Sequence, residues 1–556
     1  MANIVIINPK FETSFWGFEF ALPIFGKRAN MAVGALPLLA ALTPPEHTVT
    51  LVDESVESID FEQVARADIV ALTGMNVQRQ RMREVLTELK KRGVFTVVGG
   101  AWVSIEEEYF GELADVIFVG EAEETWPEFL RDWQMGRHRH RYEQAAKTDM
   151  TRVPTPRYNL LKTDRYLFGA IQFSRGCPFQ CEFCDIIVTF GRRPRLKTAA
   201  QIIAELDAMY ATGVRDVFVV DDNLIGNKQA IKGVLRELIP WQEAHAFRVA
   251  FFTEASLDLA EDQELIDLMV RVNMISVFVG IESPNDAALR ETKKYQNVKK
   301  GTTILDRVHK IQHAGLEVMC GMIVGFDSDD QTIFEAQRRF IREARIPQAM
   351  FGMLHALRKT PLYDRLMREG RLDPADGSDY GTNIIPKQIS REELRDGYIQ
   401  VMKDLYDPKA FFDRLDALYV EEKIPYCPAR ADYRRRNFRE QLRSGIYDTA
   451  RSAGLFVRLM WMVKEPELRR EYRRRVARVI RVRRDPGLTM YYLIKCAIHY
   501  HLYQLAQAVS RKGLGSVNPL VGPATRSVRS VEALPPLEVG PSPARGRTIP
   551  LPVAAS

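Results

Sequence analysis

The sequence predicts an α/β protein: a doubly wound, flavodoxin-like N-terminal domain, a partial (βα)6 barrel of the TIM type, and a helical C-terminal region. Three observations carry this expectation. Short β-rich runs alternate with helix-period patterns over residues 1–139 and again over 166–370, as parallel sheets with crossover helices require. Beyond 370 the alternation stops and basic, helix-prone segments take over. The length of 556 residues, 46% of them hydrophobic, suits about three or four domains.

In the first domain the candidate strands are NIVIINP, TVTLVDE, DIVALTG, FTVVGG and VIFVGE, with helical patterns at Gly34 to Leu42, Asp60 to Ala67 and Gln78 to Arg92. The last carries Met82, Val85, Leu86 and Leu89 at helical spacing. Ligands of doubly wound sheets sit beyond the carboxyl ends of the strands. The residues expected there are Asn8, Asp53, Gly74, Met75, Asn76, Gly99, Gly100, Gly120 and Glu121. Glycines at strand ends either let a ligand approach the backbone or simply make tight turns. Residues 140–165, with Pro154 and Pro156, read as a linker.

The second domain offers six candidate strands: AIQFS, DVFVVDD, RVAFFTE, ISVFVGIES, LEVMCGMIVGF and AMFGMLHAL. Helical patterns separate them, and functional groups of such barrels belong at the carboxyl ends of the strands. Those ends carry Asp221, Asp222, Asn223, Thr253, Glu254, Gly280, Glu282, Ser283, Gly321 and Ile323. Taken singly, a carboxylate at a strand end commonly caps the next helix. Directly after the first strand comes CPFQCEFC, which spaces Cys177, Cys181 and Cys184 as C-x3-C-x2-C. Three such thiolates can ligate three irons of a [4Fe–4S] cube and leave the fourth iron open. A structural zinc wants four ligands, and no fourth Cys or His lies nearby. The other reading is three unrelated loop cysteines. Only Cys320, Cys427 and Cys496 remain, without a C-x2-C pair, which argues against a second cluster. Few cysteines and no signal peptide point to a reducing cytoplasm, and no apolar run of about 18 residues points to a membrane span.

The C-terminal region, 371–510, is expected to be helical and basic, and 511–556 a disordered tail rich in Pro, Gly, Ser and Ala. Between Arg430 and Asp485 stand eighteen Lys and Arg against seven Asp and Glu. Leu455 to Val463 and Met490 to Leu505 supply apolar and aromatic residues. Basic amphipathic segments of this kind lie in membrane interfaces; a solvated helical bundle is the alternative. Nucleic acid is the weakest partner, since no recognition motif accompanies the charge.

The cysteine spacing after a strand resembles the signature of the radical S-adenosylmethionine (SAM) enzymes. That resemblance implies that Cys177, Cys181 and Cys184 hold a [4Fe–4S] cluster whose open iron binds SAM, which is then cleaved to a 5′-deoxyadenosyl radical. Phe183 matches the aromatic position beside adenine. Asp221, Asp222 and Asn223 stand where relatives contact the SAM amino group. Glu254 ends the third strand as a further cofactor-binding candidate; Gly280, Glu282 and Ser283 stand at ribose and carboxylate contacts, and Gly321 and Ile323 run alongside adenine. The first domain resembles the cobalamin-binding domain that precedes the radical core in one subgroup, matched at Gly99–Gly100 and Gly120–Glu121. No D-x-H-x-x-G is present, so cobalamin is expected without a protein histidine ligand. The tRNA methylthiotransferases of the superfamily carry cysteines in an N-terminal domain; none precedes Cys177 here.

Residues 1 to about 420 resemble the branch that includes the hopanoid 2-methylase, through the run Cys181 to Lys197 and VDDNLIGN at Val220 to Asn227. The resemblance implies a cobalamin-dependent methyltransferase acting on an unactivated carbon of a lipid-like substrate, hopanoid or isoprenoid. It also implies a reducing partner such as flavodoxin or ferredoxin, and a cytoplasmic enzyme peripheral on the inner membrane face. A radical SAM cyclase or oxidoreductase on a tetrapyrrole, without methyl transfer, and a non-catalytic cofactor-binding module stay open beside it.

Overall fold

The computed structural model describes residues 1–298, 301–373, 380–512 and 514; the expected tail lies outside them from 515 onward. Among the described residues fifteen strands run in chain order: β1 (Asn3–Asn8), β2 (Ala29–Met31), β3 (Thr48–Asp53), β4 (Ile69–Thr73), β5 (Thr96–Gly99), β6 (Val116–Val119), β7 (Arg141–Glu143), β8 (Tyr166–Ile171), β9 (Ser174–Arg175), β10 (Arg195–Leu196), β11 (Asp216–Val219), β12 (Ala250–Glu254), β13 (Met274–Glu282), β14 (Glu317–Val324) and β15 (Ala349–Met353). The first sheet is all parallel, in the order β3-β1-β4-β5-β6-β7. Its central strands β4 and β6 are buried at every residue, as sheets covered by helices on both faces demand. The helix Arg79–Lys91 buries the predicted stripe of Met82, Val85, Leu86 and Leu89. β7 falls inside the stretch read as a linker; its pairing with β6 makes Arg141–Glu143 the sheet's sixth strand.

The second sheet is parallel too, in the order β15-β14-β13-β12-β11-β8-β2. Six strands belong to the expected half-barrel. The seventh, β2, comes from the first 31 residues: Ala29 and Met31 pair with Tyr166 and Phe168 of β8. Phe18, Ala21, Leu22 and Ile24, just upstream, are buried in the same core as the barrel helices. The barrel's first strand ends at Ile171 rather than Ser174. The chain turns there, and Ser174–Arg175 pair antiparallel with Arg195–Leu196 to form the base of the cysteine loop.

Helices at Arg391–Leu405, Pro408–Asp416, Pro428–Arg436, Phe438–Met462, Pro466–Arg483 and Pro486–Lys512 make up the C-terminal region. The expectation that Met490 to Leu505 faces outward is overturned. Tyr492, Leu493, Cys496, Ala497, His499 and Leu502 are almost fully buried, because this helix is the core element on which the others and the barrel pack. Lys495 makes a buried ion pair with Glu317 at the start of β14. Among the described residues no helix is long and apolar enough to cross a membrane.

Candidate functional site

Buried hydrogen bonds fix the cysteine loop at the carboxyl end of the half-barrel. Asp221, with 2% of its surface exposed, accepts from Phe173 N at 2.8 Å and from Ser174 Oγ at 2.6 Å. Asp222 accepts from Gly176 N at 2.8 Å. Asn223 accepts from Ser256 N at 3.1 Å and aims its amide at Cys177 Sγ, 3.9 Å away. Asp221, expected at the SAM amino group, thus has both oxygens engaged in holding the loop, whereas Asp222 leaves one oxygen open.

Cys177 and Cys184 each lie close enough to Cys181 to feel its charge. Burial pushes Cys184 up to about 12 and raises Cys177, with Cys181 adding repulsion to both. Gln296 Nε2 donates to Cys181 Sγ at 3.5 Å. Soft sulfurs that ionise poorly alone, with amide N–H groups aimed at them, suit a cationic iron cluster, which stabilises thiolates and is tuned by such donors. Among the described residues no three Cys, His, Asp or Glu side chains converge as a single ion would require; a cubane spreads its sulfur ligands over a wider frame.

Next to the thiols lies an acidic pocket. Glu254 is pushed up to about 7, first by burial and then by Asp222, Asp221 and Glu282; Asp222 is pushed up to about 6, again mainly by burial. Among the described residues Glu254 makes no side-chain hydrogen bond, so its carboxylate is available to a ligand. Glu282 ends β13 at φ 67°, beside a register shift against β14. Such a conformation is costly for a non-glycine residue and clusters at functional sites. Lys294, absent from the sequence-based expectations, pairs with Glu282 at 2.8 Å and lies 5.9 Å from the Phe183 ring. Burial pulls its pKa down, yet Glu282 and Cys181 hold it above its ordinary value. Gly280 leaves room for this pair: a Cβ would sit 2.4 Å from Glu282 Oε1 and 2.9 Å from Lys294 Nζ, so the two charged ends would have to move aside. Gln337 donates to the carbonyls of Ile323 at 2.9 Å and Glu282 at 3.3 Å. Ser283 is fully buried and accepts from Asn285 N at 3.1 Å. Gly321 packs beside Phe278, and Phe183 against Phe326.

The carboxyl edge of the first sheet meets the cysteine loop and the segment after β15. Gly100 has φ 100°, and a Cβ on it would meet Thr73 Oγ1 at 2.7 Å and Gly74 N at 2.8 Å. Asn76 is bonded by Arg79 at 2.5 Å, while Met75 is 54% exposed and the space beside Gly120 is open. Gly99 packs on Phe118. Asn8 and Asp53 bond each other at 2.9 Å, and Gln78 closes on Asn8 at 2.8 Å. An open glycine-lined edge beneath an exposed methionine fits a flat macrocycle. The domain's three histidines lie at the opposite edge: His47 accepts from Ala2 N, His140 bonds Asp115 O and His138 packs on Phe95.

Glu121, expected as a cofactor contact, turns toward the cysteine loop instead. It pairs with Arg175 at 2.7 Å and Arg195 at 2.9 Å, while Glu123 takes the other end of Arg175 at 2.6 Å. Lys359 Nζ donates to Ser104 O at 2.7 Å, and Arg358 pairs with Glu106 at 2.6 Å. Sequence reasoning missed Arg175, Arg195, Lys294 and Gln296, whose partners lie far along the chain or in an irregular loop.

Comparison with known proteins agrees with this geometry. The B12 binding domain matches residues 31–130, the radical SAM superfamily residues 171–339, and a domain of unknown function residues 360–513. The chain is similar to an uncharacterized methyltransferase of Synechocystis sp., 41% identical over 76% of this chain and 80% of that one. It is also similar to the hopanoid C-2 methylase of Rhodopseudomonas palustris, 34% identical over 77% and 82%. Among solved structures, TsrM of Kitasatospora setae with cobalamin and a [4Fe–4S] cluster bound shares the fold (TM-score 0.56, 17% identity, 71% and 85% coverage). So does the cobalamin-dependent SAM radical enzyme OxsB (TM-score 0.56, 14% identity, 94% and 82% coverage). A B12-binding sheet set against a radical SAM half-barrel defines the class of molecule. The chain belongs to the cobalamin-dependent radical SAM methyltransferases, and its cofactors are a [4Fe–4S] cluster, SAM and cobalamin.

Proposed function

We propose that the chain methylates an unactivated carbon of a lipid-like substrate, a hopanoid or another isoprenoid, at the cytoplasmic face of a membrane. The observation that carries this is the buried pairing of Arg175, at the base of the cysteine loop, with Glu121 and Glu123 beyond β6 of the first sheet, which joins the two domains at their strand ends. Similarity to the hopanoid C-2 methylase supports the substrate class. When bound, the cluster and SAM supply a carbon-centred radical, and cobalamin a transferable methyl group.

In this reading Cys177, Cys181 and Cys184 hold the cluster. Glu254 and the open oxygen of Asp222 accept from the SAM ammonium, a cation that would offset the burial that raises both carboxyls. Glu282, restrained by Lys294, accepts from the ribose, while Gly321 and Ile323 offer backbone to adenine beside Phe183. Gly74, Met75, Asn76, Gly99, Gly100 and Gly120 form the cobalamin face, with no protein histidine below cobalt. An open cleft of ≈ 630 Å³ beside the cysteine loop, lined by Arg192, Lys293, Lys359, Arg365 and Arg368 against Glu182, Glu291 and Asp364, suits an acidic electron carrier such as flavodoxin or ferredoxin.

The test is anaerobic reconstitution with iron, sulfide and cobalamin, then turnover with SAM, a strong reductant and extracted bacterial lipid. The expected result is 5′-deoxyadenosine together with a lipid product heavier by one CH2. Deoxyadenosine without that product sinks the substrate assignment; no deoxyadenosine sinks the radical reading.

A further inference from the structure

The helix Phe438–Met462 turns an apolar face to solvent. Phe438 is 74% exposed, Leu442 56%, Ile446 65%, Val457 66% and Trp461 82%. Spaced mostly by four residues, they form one stripe along the helix, continued by Ala450 and Ala453. The opposite face buries Ser444, Ser452, Leu455 and Leu459 against the neighbouring helices. Soluble proteins seldom expose apolar surface as one contiguous patch unless something covers it.

The charge along this face is of one sign. Arg439, Arg443 and Arg458 are exposed beside the apolar stripe. The two acidic residues of the helix are turned inward and paired, Glu440 with Arg248 at 3.2 Å and Asp448 with Arg434 at 2.9 Å. Ile480 and Val482 of the next helix are half exposed among further arginines. Apolar and aromatic side chains interleaved with arginines match the acyl boundary and the anionic headgroups of a bilayer surface.

We propose that the face formed by Phe438, Leu442, Ile446, Val457 and Trp461, rimmed by Arg439 and Arg443, docks the enzyme on an anionic lipid bilayer as a peripheral element. The helix packs beside the Leu22–Phe25 helix and the amino-terminal ends of β11 and β12, where Arg248 meets Glu440. Docking therefore brings this helix and the segment ahead of β12 against the membrane. This surface stands independently of which substrate the active site takes.

The test uses the full-length protein in co-sedimentation with extruded vesicles, either pure phosphatidylcholine or equal parts phosphatidylcholine and phosphatidylglycerol. Binding to the anionic vesicles that weakens as salt rises is the expected result, with the neutral vesicles bound at least about tenfold more weakly. Arg439→Gln with Arg443→Gln should weaken anionic binding about thirtyfold, from roughly a kilocalorie for each charge. Phe438→Ser with Trp461→Ser, both at solvent-exposed positions, should abolish it while circular dichroism stays unchanged. Wild-type protein that stays in the supernatant overturns the proposal. So does vesicle binding indifferent to all four substitutions, or a wild-type dimer in sedimentation velocity that the Phe438 and Trp461 variant turns into a monomer without losing lipid.

Discussion

Arg175 is the residue through which the two cofactor regions feel each other. Its guanidinium, about 9% exposed, divides between Glu121 and Glu123, and its Nε donates to Gln172 at 2.9 Å. A buried pair adds little net stability when whole but costs about 3–5 kcal/mol when one partner goes, because a charge is left stranded. Arg175→Met should therefore lower the melting temperature sharply and loosen cobalamin binding. The triple variant with Glu121→Gln and Glu123→Gln should recover more than half of the lost stability in calorimetry; no recovery would show that packing, not charge, holds the joint. Gly280→Ala makes a narrower prediction. The new methyl crowds the charged ends of Glu282 and Lys294, which must swing aside, so SAM affinity in titration calorimetry should fall with the fold intact. At this scale the cysteines and strand-end glycines were legible, because each is a local pattern. Arg175 and Lys294 were not: Glu121 lies 54 positions from Arg175, and no spacing rule connects them. Asp221 shows the converse, since a strand-end carboxylate reads alike whether it meets a ligand or its own backbone.

Among elements, the segment from Phe15 to Met31 departs most from the expected organisation. It leaves the first sheet, buries Phe18, Leu22 and Ile24 in the barrel core and finishes as β2 on the barrel edge. Three residues, Ala-Asn-Met, carry too little alternation to be read as a strand, and a parallel partner more than a hundred residues away leaves no local trace. The long strands and the Arg79–Lys91 helix were legible because their periodicity spans enough residues to be unambiguous. The Met490 to Leu505 run misled because apolar content alone does not distinguish a core helix from an interfacial one. Trp16 anchors the inserted segment: its Nε1 donates to Met350 Sδ at 3.1 Å and its ring meets Phe278 edge-on at 5.2 Å. Trp16→Ala removes both contacts. Hydrogen exchange should then quicken over residues 11–31 and at β15, while the first sheet keeps its protection. Equal exchange across the segment would show that the remaining burial holds it.

For the whole molecule, acid stability reports on the helix that joins the C-terminal region to the barrel. On Pro486–Lys512, His499 accepts from Tyr472 OH at 2.7 Å and donates to Tyr406 O at 3.1 Å, while His501 donates to Ser14 O at 2.9 Å. His499 needs a neutral ring to accept from Tyr472, as does His501 to accept from Phe20 N at 3.4 Å, and burial lowers the two to about 3 and about 4. The unfolded chain takes up a proton near pH 6.5 that the fold refuses. Each histidine's contribution is therefore complete above that pH and shrinks by up to about 1.4 kcal/mol per unit as pH falls toward the folded value. Carboxyls raised by burial act oppositely: Glu19, 3.9 Å from His501 and pushed up to about 7, gains stability as pH falls from 7 toward its ordinary range. With Asp222 and Glu254 behaving alike, the wild-type curve alone is a mixture of both signs. The difference between wild type and His501→Gln isolates one ring. At pH 7.5 the variant should melt lower, having traded a buried hydrogen-bond pair for a poorer one. Below pH 6.5 that gap should close steadily, because glutamine has no proton to refuse. Melting curves in matched buffers from pH 7.5 to 5 measure it directly, and a gap that stays constant would mean that His501 takes up its proton as readily in the fold as in the unfolded chain, against the apolar surroundings that bury it.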